Sequence, residues 1–480
     1  MKRLFLIAAL ILLPVLAAAQ EPTRPWQSKS TQKVIKAVWD INNDSDEEHV
    51  FLIKNGKRFK VPIKNLSTSD QEYIENKRME RDFGTVDKDD ASIKKPNSPA
   101  KQNAPSGQKN ITPNTPPDVI PESQMPFFGW RRQGKARAIE ANGGTEESEK
   151  AVALGLKWLA EHQLKDGSWN YNHQLAPSCG GKCNNSGSLD KTVCGATAMG
   201  LLPFLGAGIA HRGTLDTTSK KYSKNVQGGL VYLVSHGKVS RDGCVSYCET
   251  GGSIYPHGIA TICLCEAFAM TKDKRLLPAA QGSLKYISYH QDPAGGGWRY
   301  SPHQAGDTSV CGWQLTALKT GYMAGLTVPN DTINKATRFL DSVQTDSGAR
   351  YGYTSPGEGP STTSVGLLSR MYLGWKHDNP ALKRGVEWLS ERGSSKTDYY
   401  YNYYATQVMF HYRGPLWEKW NASMRDQLVT TQYSEGHEVG SWYHEGPWSS
   451  RGGRLYDTAL SLLILETYYR HPHIYQKSEE

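Results

Sequence analysis

Residues able to do acid–base or metal chemistry recur in this chain at one place in a repeat. The run Asp307-Thr308-Ser309-Val310-Cys311-Gly312 has a near copy in Asp190-Lys191-Thr192-Val193-Cys194-Gly195, and each opens an apolar stretch. Further stretches beginning at His257, Thr362, Asn402 and Asp457 fit the same register. If these are parallel helices, their first residues converge on one mouth. Helix N-termini carry partial positive charge, so acids there are favoured as caps for that reason alone. Asp307, Asp457, His257 and Asp190 are also the candidates for acid–base catalysis. Asp307 and Cys311 lie one helical turn apart and, with His257, form an Asp-Cys-His set of a kind that holds zinc.

Aromatic residues crowd the segments between the apolar stretches. Tyr255, Trp298, Tyr300, Tyr353 and Trp442 join His257, Asp307, Asn402 and Asp457 as a candidate ligand-binding lining, with Trp169, Tyr171, Tyr351, Tyr443 and Trp448 nearby. Such a lining suits a sugar ring, a terpenoid or an apolar peptide. At Trp169, Trp298, Tyr351 and Trp442, packing against the helices is the competing reading. His444 and Glu445 form a loop pair with acid–base potential, against which stands a plain polar turn.

The chain has 8 cysteines. Cys179 and Cys183 fall in one loop, Cys244 and Cys248 in the corresponding loop of the next repeat. A disulfide staple between these loops is the first expectation for an exported chain, a zinc site of the four thiolates the second, and free thiols the remaining reading. Apart from zinc, no cofactor is expected. Cys194, Cys263, Cys265 and Cys311 lie in apolar stretches, where cysteine serves as a small hydrophobe.

The elements that must position these residues follow from periodicity. Between the apolar runs lie amphipathic segments such as LKWLAEHQ at Leu156–Gln163 and LKYISYHQ at Leu284–Gln291. An amphipathic helix buries one stripe, whereas a helix apolar nearly all round is buried on every side. About six such pairs, with the apolar member inside, predict a mainly α protein built as an α/α6 toroid over residues 146–475.

Ahead of the toroid the pattern changes. Met1–Gln20 reads as a secretory signal, with 1–19 removed, so the chain is expected to be exported to a periplasm or the exterior. Residues 30–87 read as a small β module, with strands at Lys33–Ile41, Val50–Lys54 and Lys57–Pro62 around an Asn55-Gly56 turn. Ser69 to Glu72 read as a capping box opening a short helix. Residues 88–145, rich in Lys, Pro, Asn and Ser, read as a disordered linker. Hydrophobic residues make up 38 % of the chain, which fits one part being unpacked. The net charge of +9 is spread out and matches no nucleic-acid-binding pattern, and no run after the signal is long and apolar enough to span a membrane.

Two resemblances add to this. The run Gly56–Ile74 resembles the SLA1 homology domain 1, an SH3-like fold, which implies a protein-binding module. The segments Gln163–Trp169 and Gln291–Trp298, with weaker copies at Gln344–Tyr351 and Gln432–Trp442, resemble the QW repeat of the terpenoid-cyclase and protein-prenyltransferase superfamily. That resemblance implies the same toroid. The family's catalytic motifs do not follow: residues 146–475 contain neither the Asp-x-Asp-Asp of squalene-hopene cyclases nor the Asp-Cys-Thr-Ala-Glu of oxidosqualene cyclases. Asp242-Gly243-Cys244 matches the prenyltransferase zinc pair only superficially. The expectation is a binding toroid for an envelope protein, a glycan or a hydrophobic ligand. The alternatives are a polysaccharide lyase or hydrolase, or a divergent terpene cyclase, using acids at the mouth.

Overall fold

The computed structural model describes residues 24–40, 49–67, 69–71, 73–74, 131, 134–212, 217–249 and 253–475. They belong to two compact units, one within Met1–Ser92 and one within Ile93–Glu480. The signal-like segment and residues 88–130 of the expected linker lie outside the described residues.

The first unit is an antiparallel meander of β1 (Arg24–Gln27), β2 (Val34–Trp39), β3 (His49–Lys54) and β4 (Lys57–Pro62), in that order. Asn55 and Gly56 both take positive φ, 51° and 73°, as a two-residue turn matched to strand twist requires. Lys54 then pairs with Lys57. Alternation along the strands buries Trp26, Ala37, Trp39, Val50 and Leu52 against Leu66 and Ile74. The strand at Arg24–Gln27 lies ahead of the expected start at residue 30. Of the expected capping box, Glu72 lies outside the described residues, whereas Asp70 is buried. Its carboxylate accepts from Arg24, from the Gln27 amide and from Ser67, tying the helical turn back to β1.

The second unit opens with α1 (Lys135–Asn142). Outer helices α2 (Glu146–Glu161), α4 (Thr217–His236), α6 (Leu277–His290), α8 (Asn330–Ser342), α10 (Pro380–Arg392) and α12 (Gly414–Thr431) then alternate with inner ones. The inner helices are α3 (Val193–Gly206), α5 (Tyr255–Thr271), α7 (Thr308–Met323), α9 (Pro360–Tyr372), α11 (Tyr399–Tyr412) and α13 (Ser449–Leu465), followed by α14 (Thr467–Arg470). Each inner helix packs on the next, and α13 closes onto α3. Outer helix α12 likewise meets α2. This is the α/α6 toroid expected from the apolar and amphipathic alternation. α3 is buried nearly all round, whereas α8 buries one stripe of Thr332, Ala336, Phe339 and Leu340.

The toroid starts earlier than residue 146. Arg131 is buried and donates to Glu266 on α5 (3.0 Å), to the Leu205 carbonyl (3.0 Å) and to the Arg470 carbonyl (3.0 Å). The Asn142 side chain donates to the Tyr468 carbonyl, and Trp417 donates to the Asn142 carbonyl. The end of the expected linker is therefore docked, because an arginine needed by a buried glutamate sits in it. Arg470 also pairs with Glu266 at 3.3 Å. Burial opposes charge on Glu266, yet the two guanidiniums hold its carboxyl below the usual range.

The glutamine–aromatic turns share one geometry. Trp169, Trp298 and Trp442 are fully buried, and each indole N–H donates to a carbonyl of the preceding outer helix. Their backbone N–H groups donate to the next inner helix, at Thr197 Oγ1, Cys311 Sγ and Thr458 Oγ1, as Tyr351 N–H does to Thr363 Oγ1. Gln163, Gln291 and Gln432 each donate across their own turn and to a neighbouring outer segment. The turn thus satisfies buried polar groups while fixing the hairpin angle.

Candidate functional site at the mouth of the ring

The N-terminal ends of the inner helices meet, but in a register different from the one expected. Asp307 is the N-cap of α7, its Oδ1 accepting from the Val310 amide at 2.8 Å. Asp190 is exposed and lies before α3; the Cys194 and Gly195 amides instead donate to Glu249 at 2.7 and 3.0 Å. At α11 the cap is Asp398, whose Oδ1 accepts from the Tyr401 amide. Asn402, one turn further in, exchanges two bonds with the Ser395 backbone. Thr362 donates to the Tyr351 carbonyl. α13 is broken at Gly453 (φ 63°), so Asp457 lies in the first turn after the break, where it accepts from the His444 amide (2.9 Å) and Ser449 Oγ (2.7 Å).

His257 does not stand beside Asp307 as part of a metal or acid–base set. α5 starts two residues earlier, at Tyr255 with Pro256 pre-organised in its first turn, so His257 points into the wall. Its Nδ1 accepts from the Tyr247 amide (3.3 Å), and its Nε2 donates to the Ser283 carbonyl of α6 (3.1 Å). Burial pushes its pKa down to about 3. His257, Asp307 and Cys311 do not form a group with metal-ligand geometry among the described residues, which goes against the Asp-Cys-His zinc reading. Trp298 and Trp442 also leave the binding lining, since they are wedged between helices.

What does assemble is a cluster on α5, α7, α11 and the loops before α7 and α9. Tyr255 Oη donates to Ser309 Oγ at 2.8 Å, and Ser309 Oγ is 2.6 Å from Tyr400 Oη. α5 and α11 lie opposite each other in the ring, so this string crosses the bore. Below it Trp313 stacks on Tyr403 at 5.5 Å, with Tyr404 edge-on to both. Gly312 lets this packing close, as a Cβ there would lie 2.5 Å from Val365 and 3.1 Å from Tyr404 Oη.

Above the string, Tyr300 and Tyr353 are 38 % and 40 % exposed and share a hydroxyl contact of 3.0 Å. Arg299 lies over both rings, 5.5 and 5.9 Å from their centroids, with its Nε 3.7 Å from Asp307 Oδ2. Asp307 is fully buried. Burial raises its carboxyl above the usual range, while the Val310 amide, Tyr353 and Arg299 pull the other way. Oδ2 faces Arg299 and Tyr353, with no hydrogen-bond partner at ordinary distance. Asp457 is raised to about 6 by burial, and His444, stacked on Tyr399, is pushed down to about 3. Glu445 is exposed.

Tyr255, Tyr300, Asp307 and Tyr353 are thus brought together, and Arg299, Ser309 and Tyr400 join them without having been singled out in the sequence. Tyr400 carried a signal: it belongs to the Tyr-rich start of α11, capped by Asp398.

The cysteine loops do not join. All 8 thiols are free, and Cys179 with Cys183 lies near histidines rather than near Cys244 and Cys248. Cys244 donates to Asp242 and Cys248 to Tyr286. The string Asp87-Lys88-Asp89-Asp90 does spell Asp-x-Asp-Asp, but it precedes the toroid and lies outside the described residues.

No family model and no curated protein matches the sequence. Among solved structures the chain is similar to an inactive variant of an α-1,6-mannanase from Salegentibacter, at 10 % identity and TM-score 0.47, covering 68 % of this chain and 100 % of that one. It is similar to a glycoside hydrolase family 76 mannosidase from Bacteroides thetaiotaomicron, at 12 % identity and TM-score 0.47, covering 68 % and 98 %. It is similar also to a type II terpene cyclase from Scytonema, at 12 % identity and TM-score 0.45, again covering 68 % and 98 %.

Proposed function

We propose that the mouth of the ring is a shallow glycan-binding surface. The observation that carries this is the Tyr255–Ser309–Tyr400 string, a hydroxyl-lined floor across the bore. A terpenoid needs a deep apolar cavity, whereas a sugar needs a ring face to stack on and polar groups at its edge. Tyr300 and Tyr353 offer the face and Arg299 the edge, with the buried Asp307 beneath holding Arg299 in place. The small β unit, with its SLA1-homology-like run, would dock a protein partner, and the signal-like start would place both units in the periplasm or outside the cell.

A second reading, a glycan lyase or hydrolase, is favoured by one feature: Asp307 is buried at the mouth with its carboxyl raised above the usual range, which suits a proton donor. A glycan array followed by a product assay separates the two. Binding without new reducing or unsaturated ends, abolished in Tyr353→Ala, supports the binding surface. Turnover lost in Asp307→Asn with binding retained replaces it by the enzyme. No binding to any glycan, with the protein folded, rejects both.

A further inference from the structure

Among the described residues one group of side chains has metal-ligand geometry, and it shares no residue with the mouth. His162, Cys179, Cys183 and His437 each offer one ligand atom, and these atoms all lie within 4.8 Å of one another. We propose that they bind one zinc ion in a closed, tetrahedral Cys2His2 site that clasps the first hairpin of the ring to the last.

The donor set is that of a structural zinc site, with no position left for water or substrate. A tetrahedron with ordinary Zn–S and Zn–N bonds has sulfur–nitrogen edges of about 3.6 Å. Cys183 Sγ lies 3.4 Å from His162 Nε2 and 3.2 Å from His437 Nδ1. The tautomer is also set. His162 Nδ1 is 2.7 Å from the Trp158 carbonyl, which only accepts, so Nδ1 carries the proton and Nε2 turns its lone pair toward the thiols. The ring is further fixed by stacking on Trp158 at 3.9 Å. Gly180 and Gly181, with φ of 53° and 82°, let the loop double back so that both cysteines are buried on one side.

The placement explains why such a site is useful. His162 caps the C-terminal end of α2, and both cysteines lie in the connection from α2 to α3. His437 lies in the connection from α12 to α13, 254 residues from Cys183. Here the ring closes without a chain connection. Around the group the seam is already tied: the Asn184 amide donates to Glu438 (2.6 Å), and Arg454 of α13 binds Glu438 (3.1 Å) and Asn185 (2.9 Å). A disulfide between Cys179 and Cys183 would leave the two histidines aimed at that sulfur without a purpose.

The test uses the full chain, purified without chelator. Elemental analysis should find one zinc per chain, and cobalt exchange should give the visible bands of a tetrahedral two-thiolate site. Mass mapping without reductant should find Cys179 and Cys183 as thiols, protected from alkylation until zinc is removed. His437 is only partly buried, so His437→Ala should still fold, while binding zinc at least about a hundredfold more weakly. Cys244→Ser with Cys248→Ser should keep the metal. A Cys179–Cys183 disulfide in the native protein, or full zinc retention in His437→Ala, overturns the proposal. So does failure of the native, reduced chain to take up zinc or cobalt.

Discussion

The first and second hairpins carry loops with the same Cys-x3-Cys spacing, yet the fold treats them differently. Cys179 and Cys183 face His162 and His437, the latter delivered by the closing of the ring. The Cys244 thiol donates to Asp242 and the Cys248 thiol to Tyr286, and neither belongs to a group with metal-ligand geometry among the described residues. The second loop is held by other means: His257 accepts from the Tyr247 amide, and Glu249 reaches across to cap α3. Equal spacing does not make equal sites, because a metal site needs its remaining ligands, and those come from whichever segment packs alongside.

The largest effect should come from the cysteines. In zinc-replete protein, Cys179→Ser with Cys183→Ser should cost the toroid about 3 kcal/mol or more, since metal bound only to the folded state adds to its stability. The equivalent pair, Cys244→Ser with Cys248→Ser, should cost less than about 1 kcal/mol, since a serine hydroxyl can keep the thiols' weak hydrogen bonds to Asp242 and Tyr286. Urea unfolding of both variants measures the gap, and equal losses would break the contrast between the loops.

Acid should next expose the imidazole of the second hairpin. The folded pKa of His257 is about 3, below its ordinary value of 6.5, so the unfolded chain binds more protons between those limits. Its contribution is present above pH 6.5 and is lost as pH falls toward 3, at about 1.4 kcal/mol per pH unit at most. Asp457, raised from 3.8 to about 6, works the other way, gaining stability as pH falls from 6 toward 4. Unfolding of His257→Gln across pH 4–7 should show a flatter dependence than the parent; an unchanged slope would mean that His257 is not buried neutral.

Removing the carboxylate that crosses between the two hairpins should be milder. Glu249→Ala frees the Cys194 and Gly195 amides and should cost about 1 kcal/mol, the usual worth of a helix cap. Asp190→Ala, read in the sequence as the α3 starter, should be silent, and thermal melts of the two variants decide which acid does the capping. A stability effect smaller than that of Glu249→Ala belongs to the third hairpin. Asp307→Ser keeps a competent cap and should change stability by well under ~1 kcal/mol, while abolishing glycan binding in the titration that detects it. A loss of stability with binding intact would make Asp307 a cap and nothing more.

The sequence by itself determined the alternation of buried and amphipathic helices, their number, and hence the ring. It also determined the Asn55-Gly56 hairpin and the positions of the glutamine–aromatic turns. These are properties of local periodicity and of backbone angles that one or two residues dictate. The register of the helix starts was legible only in part: Asp307 does cap α7, but α11 is capped by Asp398 rather than begun at Asn402, because caps sit within a few residues of several acceptable alternatives. The tertiary structure alone decided the rest. It placed Glu249 on the α3 amides 55 residues away, drew Arg131 out of an apparent linker onto Glu266, turned His257 into the wall, and set His437 against Cys183. Each of these partners is chosen by which buried charge, amide or thiol would otherwise be left unsatisfied when the ring closes, and that is known only once distant segments share a surface.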